Sequence, residues 1–171
     1  MVLAVRPDNT ANDKPATRAP SPPQADHSLD VRHWALKSLL QIWREAHRGD
    51  DLPRRADLSP ARFGRAMPHV ALIDVEGDPP RYRWRLIGTH VTKRLGRDKT
   101  GRWFDEIYDA PTLARLCEVY GESVTQRVAI RYTGSFAFAG KEHLPYEALH
   151  LPLVDDGGRV SMLLIAVAVG R

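Results

Sequence analysis

Residues 70–87, VALIDVEGDPPRYRWRLI, constrain this chain more than any other stretch. Arg81, Arg83 and Arg85 alternate with Tyr82, Trp84 and Leu86, the two-residue period of a strand whose side chains point to opposite faces. EGDPP separates this run from the apolar VALIDV and reads as a turn, so the two form an antiparallel hairpin. One face of RYRWRLI is then aromatic and apolar, and the other carries three guanidinium groups. Such a strand fits a sheet whose helical cover lies on the aromatic side. The arginines fall on the outer face, where long stems pack under a neighbouring element while their heads stay in water. Solubility or docking is their expected role.

The elements around the hairpin complete a topology. Residues 30–48 are amphipathic: Lys37, Gln41, Arg44, Glu45 and Arg48 share one helical face, and Leu36, Leu39, Leu40, Trp43 and Ala46 another, widened by Val31, Trp34 and Ala35. Ser28 or Asp30 is placed to cap this helix and Gly49 to end it. About eighteen residues at 1.5 Å each give a rod of roughly 27 Å. Each buried tryptophan is worth about 2–3 kcal/mol, so the helix must lie against something. A loop and a short helix at Ser59-Pro60 follow. After the hairpin, THVTKRLG is a short helix with Thr89 as its cap, and Phe104 to Tyr108 a helical turn. PTLARLCEVYGESVTQR is a second amphipathic helix, ended or interrupted at Gly121. VAIRYTGSF, EHLPYEALHLPLV and RVSMLLIAVAV close the chain as three strands, the last two joined by the hairpin turn Asp155-Asp156-Gly157-Gly158. The expected fold is α+β: a five-stranded antiparallel sheet with helices on one face, preceded by the amphipathic helix.

The 171 residues suit a single domain, assigned here to residues 29–171. Residues 1–28 hold five prolines among small polar residues, too little apolar surface to offset ordering, so they are expected to be a disordered tail. Lys and Arg exceed Asp and Glu by only 25 to 21, short of the charge concentration that marks a dedicated nucleic-acid binder. One cysteine, Cys117, excludes an internal disulfide and a Cys-rich zinc site. MVLAV is too short for the apolar region of a signal peptide, and no apolar run is long enough to span a membrane. A soluble, cytoplasmic protein is expected.

Four phrases, LPRRADLSP, MPHVALIDVEGDPPRYRWRLIGT, LGRDKTGRWFDEI and LPLVDDGGRVSMLL, occur here in an order that resembles a bacterial PAS-like family long listed as a domain of unknown function. Two antiparallel strands, a run of short helices and three more strands is also the element order of the PAS domain. The resemblance covers residues 30–168, nearly all of the chain outside the tail. It implies a five-stranded antiparallel sheet whose helical flank often encloses a small pocket, and a sensory or interaction role. It also implies that the first helix covers the outer sheet face or a dimer mate.

The candidate ligand pocket comprises Trp84, Trp103, Phe104 and Leu116, with Tyr120, Tyr132 and His150 on the facing elements. Trp103 leads this set because an aromatic after Gly101 in irregular chain can wall or gate a cavity. Arg131 is a secondary candidate as an anion-binding group. The candidate interface comprises Trp34, Leu36, Leu39, Leu40 and Trp43, together with Arg81, Arg83 and Arg85.

No cofactor is assigned. GRDKTGRWF lacks the cysteine that flavin photosensors of the PAS type carry, and Cys117 sits on a later helix as a small core residue. A haem would need a helical histidine, and His90 reads better as a surface or capping residue. No nucleophile elbow, HExxH or phosphate loop is present, and Asp155 and Asp156 are explained by their turn. A Cys/His pair would need Cys117 beside His143 or His150. Arg81, Arg83, Arg85, Arg94, Arg97, Lys99 and Arg102 are dense, but base-stacking sheets need aromatics on the charged face, and here the two faces are opposite. No catalysis and no nucleic acid is therefore expected. The expected function is a stand-alone PAS-like sensory or signalling module without an attached output domain. It binds a small ligand and acts by homodimerisation or by docking on a separate signalling protein. A ligand-free interaction domain is the alternative.

Overall fold

The computed structural model describes residues 23–96, 98–137 and 140–170. Its sheet holds six antiparallel strands: β1 (Gln24–Asp26), β2 (Val70–Glu76), β3 (Arg81–Ile87), β4 (Ile130–Phe136), β5 (Lys141–Val154) and β6 (Val160–Val169). They lie in the order β1-β4-β5-β6-β2-β3. The five expected strands are all present, with the hairpin β2-β3 at one edge and the first and last of the five adjoining in the centre. β1 is the addition. It pairs with β4, Gln24 opposite Thr133 and Asp26 opposite Arg131, so the end of the expected tail is an edge strand. The rest of that expectation, residues 1–22, lies outside the described residues.

The helices are α1 (Trp34–Glu45), α2 (Pro60–Phe63), α3 (Thr89–Leu95), α4 (Phe104–Ile107) and α5 (Ala110–Gln126). They divide between the faces of the sheet, as two separate apolar clusters make plain. α3, α4 and α5 form the expected flank, over Tyr82, Trp84, Ala148, Ile165 and Val167. α1, α2 and the 3-10 turn at Gly64–His69 cover the other face. Between two covers, β6 reads as the continuous apolar run LLIAVAV, whereas edge strand β3 alternates between exposed or half-buried and buried residues over positions 81–84.

Of the two places open to the amphipathic helix, α1 occupies the chain's own outer face. Leu36 and Leu39 are fully buried, and they share a cluster with Leu149, Leu151 and Leu153 of β5 and Leu164 of β6. Trp43 adds a directional bond, its indole N–H donating to the Pro152 carbonyl at 3.0 Å. Each of these side chains contributes about 1.5–3 kcal/mol of burial, an upper figure against an extended reference chain.

The helix is shorter than residues 30–48. His33 is its N-cap, with Nδ1 accepting the Ala35 N–H at 3.2 Å. The Glu147 carboxylate accepts the N–H groups of Arg32 and His33 at 2.9 and 3.0 Å. A carboxylate 114 residues away in the chain thus fixes the helix start, and Ser28 turns back to Asp26. At α3 the cap is Gly88 rather than Thr89. A Cβ at Gly88 would stand 2.3 Å from the Pro68 carbonyl oxygen, so only glycine fits the junction with β3. α5 runs through Gly121 without a break. β3 also departs from strict alternation, because Ile73 faces Trp84 while Leu72 faces Leu86, leaving Arg85 as an extra residue. This bulge moves Leu86 from the expected aromatic face to the α1 side.

Candidate functional site

A cavity of about 290 Å³ lies between α5 and the inner face of the sheet, at the small end of the range for ligand pockets. Alanines make the room: Ala71 on β2 and Ala148 on β5 stand where larger residues would close it, beside Ile165 and Val167 of β6. Trp84 and Val91 wall one side, Phe136 and Tyr146 another, and one stripe of α5 (Thr112, Arg115, Leu116, Val119, Tyr120) forms the roof. The stripe repeats at three and four residues, as one face of a helix must.

His150 is the chemically distinctive part of this wall. It is 3% exposed, with its ring 4.8 Å from that of Tyr120 and 4.5 Å from that of Tyr132. Burial pushes its pKa down to about 3, opposed by a contact with the Val119 carbonyl. The imidazole is therefore neutral at physiological pH, and its buried Nδ1 has no hydrogen-bond partner among the described residues. The hydroxyls of Tyr120 and Tyr146, two further lining residues, are likewise without a partner among the described residues. Burial raises both phenols, Tyr146 to about 12. A neutral lining of this kind offers donors and acceptors while remaining uncharged at depth.

Four of the seven expected pocket residues, Trp84, Leu116, Tyr120 and His150, come together here. Phe104 is fully buried but belongs to the core, packed between Tyr82, Trp84 and Tyr120. Tyr132 stands behind His150 and donates its hydroxyl to the Val119 carbonyl at 3.1 Å and to Glu122. Trp103 lies away from the cavity altogether. Gly101, Arg102 and Trp103 run along the free edge of β3, where the Trp84 N–H donates to the Arg102 carbonyl at 3.0 Å. This pairing covers the sheet edge and carries the Trp103 ring beneath the guanidiniums of Arg81 and Arg83, at 4.1 and 4.8 Å. Tyr146, Arg115 and Phe136 are among the lining residues that sequence reasoning left out. Tyr146 had a readable signal, since Tyr146, Ala148 and His150 alternate along one strand face.

The guanidinium groups of β3 are satisfied within the chain. Arg81 holds Asp105 with two bonds of 2.9 and 3.1 Å, and Arg83 holds Asp74 at 2.8 Å and Glu76 at 3.2 Å. Arg85 approaches Asp74 at 3.7 Å. Arg97 lies outside the described residues. Arg131 is also committed: it joins Glu147 at 2.7 Å and Asp26 at 3.2 Å, tying β1, β4 and β5 together instead of reaching the cavity. Within the expected interface set, Leu36, Leu39, Leu40 and Trp43 are spent on the chain's own sheet, while Trp34 is 49% exposed.

Cys117 is half-buried, and burial raises its thiol pKa, the opposite of what a nucleophile needs. Neither it nor His143 or His150 forms a hydrogen-bonded Cys/His pair among the described residues. His90 packs on His69 at 4.2 Å, and its Nε2 accepts the Val169 N–H at 3.3 Å. His33 packs on His69 at 4.9 Å with the rings tilted. The three rings contact one another in series, and among the described residues no cluster of His, Cys, Asp or Glu could hold a metal ion. No described helix is long and apolar enough to cross a membrane.

Comparisons with known proteins agree with this geometry. A family model described as "PAS domain" matches residues 31–167, a stretch that takes in α1, both apolar clusters and the cavity. No curated protein and no solved structure matches the chain. With a match over most of its length and the strand order and helical flank described above, the chain belongs to the PAS domain family.

Proposed function

We propose that this protein is a sensory module that takes a small molecule into the cavity between α5 and the sheet, and signals by a change in how α1 is held. The observation that carries the reading is a 290 Å³ cavity next to a buried, neutral histidine whose Nδ1 is unpartnered among the described residues. An apolar space with neutral polar side chains in its wall, His150, Tyr120 and Tyr146 among them, favours a ligand with an apolar body and a polar group. β5 supplies a short path outward. Tyr146 and Ala148 line the cavity, while Glu147 between them points to the other face and holds the N–H groups of Arg32 and His33. A ligand that shifts β5 therefore biases the start of α1, a population shift driven by its different affinity for the two states.

Output then passes by contact, through homodimerisation or docking on a separate signalling protein in the cytoplasm. Half-exposed Trp34, with Met67 on the same outer side, supplies the apolar surface for it. The internal pairing of Arg81, Arg83 and Arg85 speaks against nucleic acid as the partner, and the raised Cys117 pKa against catalysis. Native mass spectrometry of the purified protein tests the reading. A retained or added small molecule that is released on unfolding supports it. A tight dimer that takes up no small molecule favours a ligand-free interaction domain.

A further inference from the structure

The charge on the cavity wall carries the reading above one step further, to the chemical class of ligand. Among the described lining residues Arg115 is the single charged group, since His150 is neutral and no described aspartate or glutamate lines the space. Arg115 sits on α5 one turn after Thr112 and one before Val119, and it is solvent-exposed, which places it at the mouth. It has no ion-pair or hydrogen-bond partner among the described residues. This contrasts with Arg81, Arg83 and Arg131, each of which is held by carboxylates.

We propose that the cavity selects a small monocarboxylate, its apolar body against Trp84, Phe136 and Tyr146 and its carboxylate at the mouth on Arg115. The proposal rests on the cavity being a ligand site. A guanidinium presents parallel donors that match a carboxylate, and a cation at the rim of an apolar space repels positively charged ligands. The apolar body accounts for the rest of the wall, where Ala71, Ala148, Ile165 and Val167 offer no charge. A doubly charged phosphate ester would find one guanidinium where it requires several donors, so a single negative charge is the better match. At depth, His150 and Tyr120 remain to receive a neutral polar substituent.

Matched acid and amide probes on the full chain separate the two layers of the proposal. The probes are 3-phenylpropanoate with 3-phenylpropanamide, and octanoate with octanamide, titrated by calorimetry near pH 7.5. The acids are expected to bind about five- to tenfold tighter than the amides, the size of one partly exposed charge-assisted contact. Arg115→Gln, on an exposed helix position, is expected to remove that preference, so that acid and amide bind equally. Equal binding of acid and amide, or a preference that survives Arg115→Gln, overturns the carboxylate inference and leaves the cavity reading standing. Binding of neither member of either pair overturns both.

Discussion

Replacing His150 with phenylalanine should flatten part of the pH dependence of stability, in a way that only its buried setting explains. The ring sits between Tyr120 and Tyr132 with centroids 4.8 and 4.5 Å away, so an aromatic of similar shape keeps the packing and removes the titration. In the folded protein its pKa is about 3 because burial disfavours the imidazolium. An unfolded chain titrates near the ordinary histidine value of about 6.5. Between these values the unfolded state binds the extra proton, so stability rises with pH and is lost as pH falls below about 6.5. The loss approaches roughly 1.4 kcal/mol per pH unit, or about 2 kcal/mol at pH 5 relative to pH 8. His33 and His90 are also shifted down, mainly by burial, and add to the same slope, so the informative quantity is the difference between proteins. Urea unfolding of wild type and His150→Phe at pH 5, 6, 7 and 8 measures it. The wild type should lose about 2 kcal/mol more than the variant on going from pH 8 to pH 5. Parallel curves would refute the buried, neutral histidine.

Other perturbations follow from the packing. Leu39→Ala, at a fully buried position between α1 and β5, should cost about 3–5 kcal/mol by urea unfolding, and an exposed partner-facing helix would lose far less. Gly88→Ala sets a methyl against the carbonyl oxygens of Pro68 and Val70, and should lower the melting temperature by about 6–12 °C for a cost of about 3 kcal/mol. Asp74→Asn removes the charge that Arg83 and Arg85 share. Arg83 is a third exposed, so the expected loss is about 1–2 kcal/mol, with a shallower salt dependence of stability than wild type. Glu147→Gln should speed amide exchange at Arg32 and His33 while leaving the helix interior at Leu39 protected, and uniform protection would contradict the cap described for α1.

Much of the fold was legible because its signals are local and periodic. Alternation marked β3, three-and-four spacing marked α1 and α5, and Asp155-Asp156-Gly157-Gly158 marked the final turn, where Asp155 accepts the N–H groups of Gly157 and Arg159. What escaped depends on contacts between distant residues. Nothing in SLDVRHW announces that Glu147 sets the first residues of α1, and nothing in QAD announces a strand until Arg131 draws in Asp26. The bulge at Arg85 turns Leu86 over without altering the apparent pattern of RYRWRLI. Trp103 is a similar case, because its place under Arg81 and Arg83 follows from edge pairing with β3, which a chain-local reading cannot see. Of the expected pocket residues, those that line the cavity, Trp84, Leu116, Tyr120 and His150, lie on regular elements facing inward. Arg115 was passed over because one arginine on an amphipathic helix looks like any solvated charge.

The most direct test of the account is an amide chemical-shift map of the full-length protein titrated with 3-phenylpropanoate. A ligand in the cavity predicts saturable shifts at Ala71, Thr112, Leu116 and Ala148, all of which line it. Transmission through Glu147 predicts a second, smaller group at Arg32 and His33 on the opposite face. Shifts that saturate only at outer residues such as Trp34 and Met67, or no saturable shift at the lining residues, would contradict the central claim that this cavity is where the protein senses its ligand.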